Sequence, residues 1–566
     1  MEPEPPPPPF SSSSSKNDTK LAKTTDLFPL TDDLLHKILS RLPAVSFASA
    51  ACVSKSWNHL CNQVLSRPKL ASALSLDPSP EIAVSEVVDK VLAEPIRPHF
   101  VLASIGSGFR LYDVSRLISR KLGSKTPLII STSLGVIGRD AVTDEVTEVK
   151  WISLAGDLSD DDGSVTAEDD NFGIVLTVGF VPGLVVDVVP LLRPTKEPRN
   201  AMLEKFVTDI RGFCSSVSGG QSPVGIIVFG MEQEGLVDMK PIVNILVLLN
   251  NGISKSNLSD YAMPKETVIV GDERGRFLYK SGNESRNFCG SAKYFTDAVA
   301  LVFAKDRNSA YGNGNIQFHV ALSNGVTPVG PRYKAASVKR NCSDHSTWLT
   351  AKLEGQQAVL DGQRILNDIN DELGDHAGSS DLYIGVTTRR NCSIRSEKPR
   401  LLTSLAFHGV VDKAAYLTVP SLNFDIILFY RGDEEYLYVS GEGIRTGDYF
   451  QFYRSDPEAA LSSIISVTQK IQNLKLDQNQ KNSCSQIFGG LIFSCYGRSE
   501  PFFASNVDSV PFLENLAEVP FGGIFCGGEI GRGPSSLVDE DRQESPVSCC
   551  LHVYSTVYLV MTCTPP

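Results

Sequence analysis

Apolar positions along the chain change period several times, and each change marks an element. In "LTDDLLHKILSRLPAVSFASAACVSKSWNHL", Leu30 to Leu60, residues Leu34, Leu35, Ile38, Leu39 and Leu42 recur at helical spacing. Thr31 is placed to cap that helix, Asp32 and Asp33 suit its positive end, and Pro43 stops it. A second helix is expected from a Ser46 cap, with Ala50, Val53, Trp57 and Leu60 on one face. The result is a helical hairpin with more leucine than so small a unit can bury by itself.

Further on, short β-branched runs alternate with amphipathic stretches. "HFVLASIG" reads as a strand, "RLYDVSRLISRKLG" as a helix stopped by Gly123, and "TPLIISTSLGVIG" as a second strand ending in glycines. "AMLEKFVTDIRGFCSSV" predicts another helix before the buried strand "VGIIVFG". "GDYFQFYRSDPEAALSSIISVTQKIQNL" predicts a strand, a turn at Asp456-Pro457 and a long helix. "GIVLTVGFVPGLVVDVVPLL", Gly173 to Leu192, has the length of a membrane span. Pro182, Gly183, Asp187 and Pro190 favour two buried strands with a turn between them. The alternation predicts an α+β or α/β body of layered helices and sheet.

With 566 residues the chain needs several cores. The boundaries expected are a disordered Pro- and Ser-rich tail at 1–25, the helical module at 26–70, and a linker with a short helix at 71–97. The body then divides into parts at 98–340 and 341–566. The acidic run from Asp157 to Asn171 reads as a solvated loop, since its offsets do not fit a calcium loop. A tail on one side and a Pro-rich connection on the other suggest that the module's spare apolar face is completed by a partner.

A formal charge of −12 argues against a general nucleic-acid binder. "MEPEPPPPPF" is not a secretory signal. The twelve cysteines show no CxxC pairing, so they are expected reduced, in the cytoplasm and/or nucleus, without a membrane partner. There is no phosphate loop or nucleophile elbow, and Gly106-Ser107-Gly108 lacks the third glycine of a dinucleotide fingerprint. Cys549, Cys550 and His552 lie in "SCCLHVYSTVYLVM", which reads as a core strand rather than a zinc site. No cofactor, metal or catalytic residue is expected.

The opening block resembles the F-box, through "ILSRLP", "CVSKSW" and their separation, with Thr31 where F-box proteins typically carry proline. The resemblance implies docking to a Skp-type adaptor and through it to a cullin, with an unidentified protein substrate chosen by the remaining chain. It makes Leu34, Leu35, Ile38, Leu39, Leu42, Pro43, Val53 and Trp57 candidates for the module's core or its adaptor face, without dividing them.

Two stretches of the body echo one another. "PLIISTSLGVIG" (Pro127 to Gly138) and "PFGGIFCGGEIG" (Pro520 to Gly531) share length and a G-x-I-G ending, consistent with a duplicated strand–helix–strand unit. In the second copy Gly527, Gly528, Glu529 and Gly531 form a glycine-rich turn with one carboxylate, placed to receive a ligand ammonium. A plain structural turn with Glu529 in solvent or on a backbone N–H is the competing expectation. "GGEIG", "LSNGVTPVGPRYKAASV" and "LEGQQAVLDGQRIL" resemble the FIST (F-box and intracellular signal transduction) domain, whose Gly-x-x-Pro-x-Gly element fits Gly325, Pro328 and Gly330. That resemblance implies small-ligand sensing. It leaves two readings: a substrate adaptor of a ubiquitin ligase, or a ligand sensor whose F-box is an anchor.

Overall fold

The computed structural model describes residues 31–151, 171–196, 203–220, 222–230, 267–288, 291–308, 314–341, 346–374, 382–392, 400–409, 436–440, 444–480, 485–498, 502–503, 507–532 and 550–565. The expected tail at 1–25 and nearly all of the acidic run lie outside these residues.

The N-terminal module has three helices rather than two: α1 (Asp32–Leu39), α2 (Ala44–Ala51) and α3 (Lys55–Val64). The Thr31 carbonyl accepts from the N–H groups of Leu34 and Leu35, while its side chain makes no cap bond. Pro43, not Ser46, occupies the N-cap position of α2. The expected second helix breaks at Cys52–Ser54, because the Ser54 hydroxyl accepts from the N–H of Trp57 at 3.1 Å and starts a new helix.

The body contains three sheets among the described residues. The first runs β1 (Lys69–Ser75), β6 (Ile174–Phe180), β2 (Phe100–Ile105), β3 (Leu128–Thr132), β10 (Phe277–Lys280). The second begins β17 (Leu437–Ser440), β14 (Ser346–Leu353), β13 (Val326–Asn341), β18 (Tyr449–Ser455), β15 (Leu382–Cys392), β16 (Arg400–Gly409). It continues β22 (Cys550–His552), β21 (Glu529–Arg532), β9 (Val268–Asp272), β8 (Gly225–Gly230), β11 (Tyr294–Lys305), β7 (Leu184–Pro194). The third is β12 (Asn315–Ser323), β23 (Thr556–Thr564), β19 (Gln486–Cys495), β20 (Phe521–Cys526), β4 (Gly135–Arg139), β5 (Val146–Lys150).

Apolar faces of all three sheets meet in one core, with Leu74 and Phe100 from the first, Val188 and Leu301 from the second, and Phe493 and Leu559 from the third. Helices cover the outer faces. α4 (Pro80–Val91) and α5 (Leu111–Leu122) pack on the first sheet, and α6 (Leu203–Ser218) on the second. α7 (Gly362–Leu373) covers the β13–β18 region. α8 (Pro457–Gln480) and α9 (Val510–Leu516) lie on the third sheet. The layered α/β body expected from the alternation is therefore present.

The segment expected as a linker, 71–97, is built into this body. β1 pairs antiparallel with β6 from Lys69↔Phe180 to Ser75↔Ile174, and α4 buries Ala83, Val84, Val87, Val88 and Val91. Its alternating small and aliphatic residues belong to a packed strand and helix, which the flanking prolines concealed. Gly173 to Leu192 supplies two buried strands, β6 and β7, with a turn at Gly183, φ 81°. The two strands join different sheets. No helix among the described residues is long and apolar enough to cross a membrane.

The sequence echo corresponds to a repeated topology. β2 and β3 are parallel and linked through α5, and β19 and β20 are parallel and linked through α9. β6 returns antiparallel beside β2 as β23 does beside β19, and β1 and β12 close the two series. "TPLIISTSLGVIG" is not one strand: β3 stays in the first sheet, and β4 crosses to pair with β20, Gly138 facing Gly522. β21 leaves β20 in the same way and pairs with β9 in the second sheet.

Candidate functional site

The module separates its apolar residues into two sets. Leu39, Phe47, Ala50, Leu60 and Cys61 are buried, with Leu35, Leu42, Trp57 and Val64 packed around them. Leu34 (45% exposed), Ile38 (45%), Val45 (81%) and Val53 (65%) face outward. Leu34 and Ile38 share one side of α1, since they are four positions apart. Leu35, Leu39, Leu42 and Trp57 thus hold the module together, while Leu34, Ile38 and Val53 are left exposed. Pro43 is exposed and starts α2. Val45 was missed in the sequence, where it stands two positions after the proline without a periodic partner. The module meets the body through Ala44, whose N–H donates to the Leu92 carbonyl at 3.0 Å.

In the body, β21 is four residues long and lies between β9 and β22, so Glu529 faces Asp272 on one side and His552 on the other. Directly paired residues share a face of the sheet, which brings these three side chains together. Glu529 is fully buried, and neither carboxylate oxygen has a hydrogen-bond partner. Glu529 is therefore not in solvent, contrary to one expectation for a plain turn, and the backbone donor that faces it is the Ser555 N–H. The neighbourhood is not uncharged either, because Asp272 lies opposite and the Arg498 guanidinium is near.

Burial pushes the Glu529 carboxyl well above the usual carboxylate range, and the charge of Asp272 adds to it. The Cys495 thiol and Arg498 oppose the shift. Asp272 is raised to about 7 by burial, although the N–H groups of Arg274, Gly527 and Gly528 hold its carboxylate. His552 is lowered to about 4 by burial, against a bond to the Gly531 backbone. Cys495 and Cys526 pair across the parallel strands β19 and β20, beside Glu529. Among the described residues no group of three His, Cys, Asp or Glu side chains is placed to hold a metal ion. "SCCLHVYSTVYLVM" supplies two strands, β22 and β23, separated at Tyr554, a non-glycine residue with φ 50°.

Next to this cluster lies a second buried network. Arg498, fully buried, donates from Nε to Asp508 at 3.1 Å, from Nη1 to the Tyr554 carbonyl at 3.0 Å, and from Nη2 to Ser323 Oγ at 3.2 Å. Asp508 also accepts from the hydroxyls of Ser494 and Thr556. Gly325 belongs here, because a Cβ on it would fall 2.0 Å from the Tyr554 carbonyl oxygen and 3.3 Å from Arg498 Nη1. The other members of the Gly-x-x-Pro-x-Gly element go elsewhere. Pro328 pairs with Tyr453 on β18, and Gly330, φ +64°, sits under Ile369 of α7. The proline and second glycine therefore shape a bulge in β13 and do not join Glu529. Of the turn glycines, Gly527 lies against Arg274, the Gly528 carbonyl accepts from Glu273, and Gly531 packs on Val557.

Comparison with known proteins agrees with both parts of this architecture. The F-box domain matches residues 27–69, covering the three-helix module, and the FIST C domain matches residues 400–532, which include β16, β18 to β21 and Glu529. The chain belongs to the F-box proteins and carries a FIST domain. It is 40% identical over 554 residues to the F-box/LRR-repeat protein At5g63520 of Arabidopsis thaliana, covering 97% of this chain and 96% of that one. That name includes a leucine-rich repeat, whereas the described body of this chain is three mixed sheets with helices outside. F-box domains bind Skp1-type adaptors, and the domain with its relative supports an adaptor role in a Skp/cullin/F-box ligase.

Proposed function

We propose that this chain is the substrate-recognition subunit of a Skp/cullin/F-box ubiquitin ligase, working in the cytoplasm or nucleus, and that its FIST body holds the target protein. The observation that carries this reading is the exposure of Leu34, Ile38, Val45 and Val53 on a module whose core is already filled. Apolar side chains left exposed in this way gain free energy from a complementary surface. The chain performs no bond chemistry in this reading; it raises the concentration of the target beside the charged conjugating enzyme.

Co-purification tests it. Wild-type chain should capture the Skp-type adaptor and cullin, and Leu34→Asp with Ile38→Asp should not. Because both residues are exposed, the double variant should fold. Undiminished cullin capture by a folded double variant would sink the docking assignment. Proximity labelling with the proteasome blocked then identifies proteins that accumulate beside the wild-type chain and not beside the variant.

A further inference from the structure

Among the described residues, Glu529 alone has both carboxylate oxygens buried without a hydrogen-bond partner. Buried polar groups are almost always paired, so an orphan of this kind marks a place where a donor is missing. The Cys495 thiol and the Ser555 N–H face it, yet neither closes a hydrogen bond. Solvent comes close at one point. Cys495, Tyr496 and Gly497, at the carboxyl end of β19, are only partly buried, and so is Gly527 at the end of β20. Ligands of open α/β sheets gather at the carboxyl ends of parallel strands.

Aromatic rings lie beside these residues. A Cβ on Gly497 would lie 3.0 Å from the Tyr554 ring and 3.5 Å from the Cys495 sulfur, so the glycine lets the Tyr554 ring approach the backbone beside Cys495. The Tyr554 ring packs against Phe502 at 5.0 Å and edge-on to Tyr383 at 5.9 Å between centroids. Tyr554 holds its ring there from a left-handed backbone conformation that non-glycine residues adopt at a cost.

We propose that this end of the sheet binds a primary ammonium group carried on an aliphatic chain, with Glu529 as its counter-ion and the Tyr554 and Phe502 rings beside it. A cation beside Glu529 and Asp272 favours their charged form, and aromatic faces attract a cation as well. A zwitterionic amino acid is disfavoured at its carboxylate end. Arg498, the cation nearest Glu529, has all three nitrogens engaged by Asp508, Tyr554 and Ser323. The ammonium can come from a free aliphatic amine or from a lysine side chain of a protein. This assignment deepens the ligase reading by giving the body a recognition element, and it is tested independently of the F-box.

The experiment is calorimetric titration and thermal shift of the full chain with 1,5-diaminopentane, Nα-acetyl-lysine methylamide, its Nε-acetylated analogue, and norleucine. The diamine or the capped lysine should bind, the Nε-acetylated analogue should lose at least tenfold, and norleucine should not bind. Glu529→Gln should lose at least tenfold for the amine while keeping the wild-type melting transition, which shows that the body is folded, and while still capturing the Skp-type adaptor, which separates the two proposals. Tighter binding of the diamine assigns the ammonium to a free amine, and tighter binding of the capped lysine assigns it to a protein. The proposal is overturned if neither amine binds wild type, if Nε-acetylation leaves affinity unchanged, or if norleucine binds best. The acetylated arm needs no variant, so it decides the matter even if Glu529→Gln does not fold.

Discussion

Leu34 and Ile38 stand one helical turn apart on α1, each 45% exposed, whereas Leu39, adjoining Ile38, is 1% exposed. The helix therefore presents two leucine-sized surfaces to a partner and turns a third inward. Replacing the outer pair by aspartate removes roughly 3 kcal/mol or more of apolar burial at the interface. Adaptor affinity should fall at least about a hundredfold, with the melting temperature unchanged. Leu39→Asp should instead unfold the module, by placing a charge in its core. Titrated pull-downs with circular dichroism of the same proteins distinguish the two outcomes.

The break between α2 and α3 depends on the side chain of Ser54, which accepts from Trp57 N–H. Ser54→Ala should cost about 1 kcal/mol and Ser54→Asp should cost little, because aspartate caps equally well. Hydrogen exchange reads this locally. Amides of Trp57 and Asn58 should exchange faster in the alanine variant and near the wild-type rate in the aspartate variant.

Arg498 and Asp508 form a fully buried ion pair at 3.0 Å, with the remaining oxygen capacity of Asp508 taken by Ser494 and Thr556. Removing one partner strands the other charge. Arg498→Met should destabilise the body by about 3–5 kcal/mol, measured as a lower urea midpoint. Combining it with Asp508→Asn should recover part of the loss. A double variant whose loss equals the sum of the losses in Arg498→Met and Asp508→Asn would show that the two side chains are not energetically coupled.

Asp272 and Glu273 give the body a pH dependence of definite sign. Burial raises them from 3.8 and 4.5 to about 7 and about 8. As pH climbs from 4 to 8, the unfolded chain releases these protons first while the folded chain still holds them. The unfolded state therefore binds fewer protons, and stability declines across that window. Asp272→Asn with Glu273→Gln should flatten this slope and leave the variant more stable than wild type near pH 8, with little difference near pH 4. Melting curves of both proteins across that range check it.

Much of the architecture could be read from apolar spacing. The period of α1 and its stop at Pro43 are local, and so is the end of α5 at Gly123, φ 90°. The turn at Gly183 was likewise carried by neighbouring residues. What could not be read depends on pairing far along the chain. Ser133-Leu134 interrupts an apolar run too briefly to reveal that β3 and β4 belong to different sheets. The helical period also continues through Cys52–Ser54, which hid the restart of α3 at the Ser54 cap. Glu529 was singled out for its setting among glycines, but a lone acid gives no local sign of burial. Its depth comes from β9 and β22 on either side, supplied by distant segments.

The crossing of β4 has a consequence for synthesis on the ribosome. Arg139, at the end of that strand, donates to the Ala517 carbonyl across 378 residues of sequence, and β4 itself pairs with β20. The docking helices emerge first and need nothing downstream to fill their core, whereas this early strand must wait for almost the whole polypeptide. If the body holds the target as proposed, a message truncated before Phe521 yields a product able to board the ligase with nothing to deliver. Its own unpaired strand is then the nearest material offered for destruction.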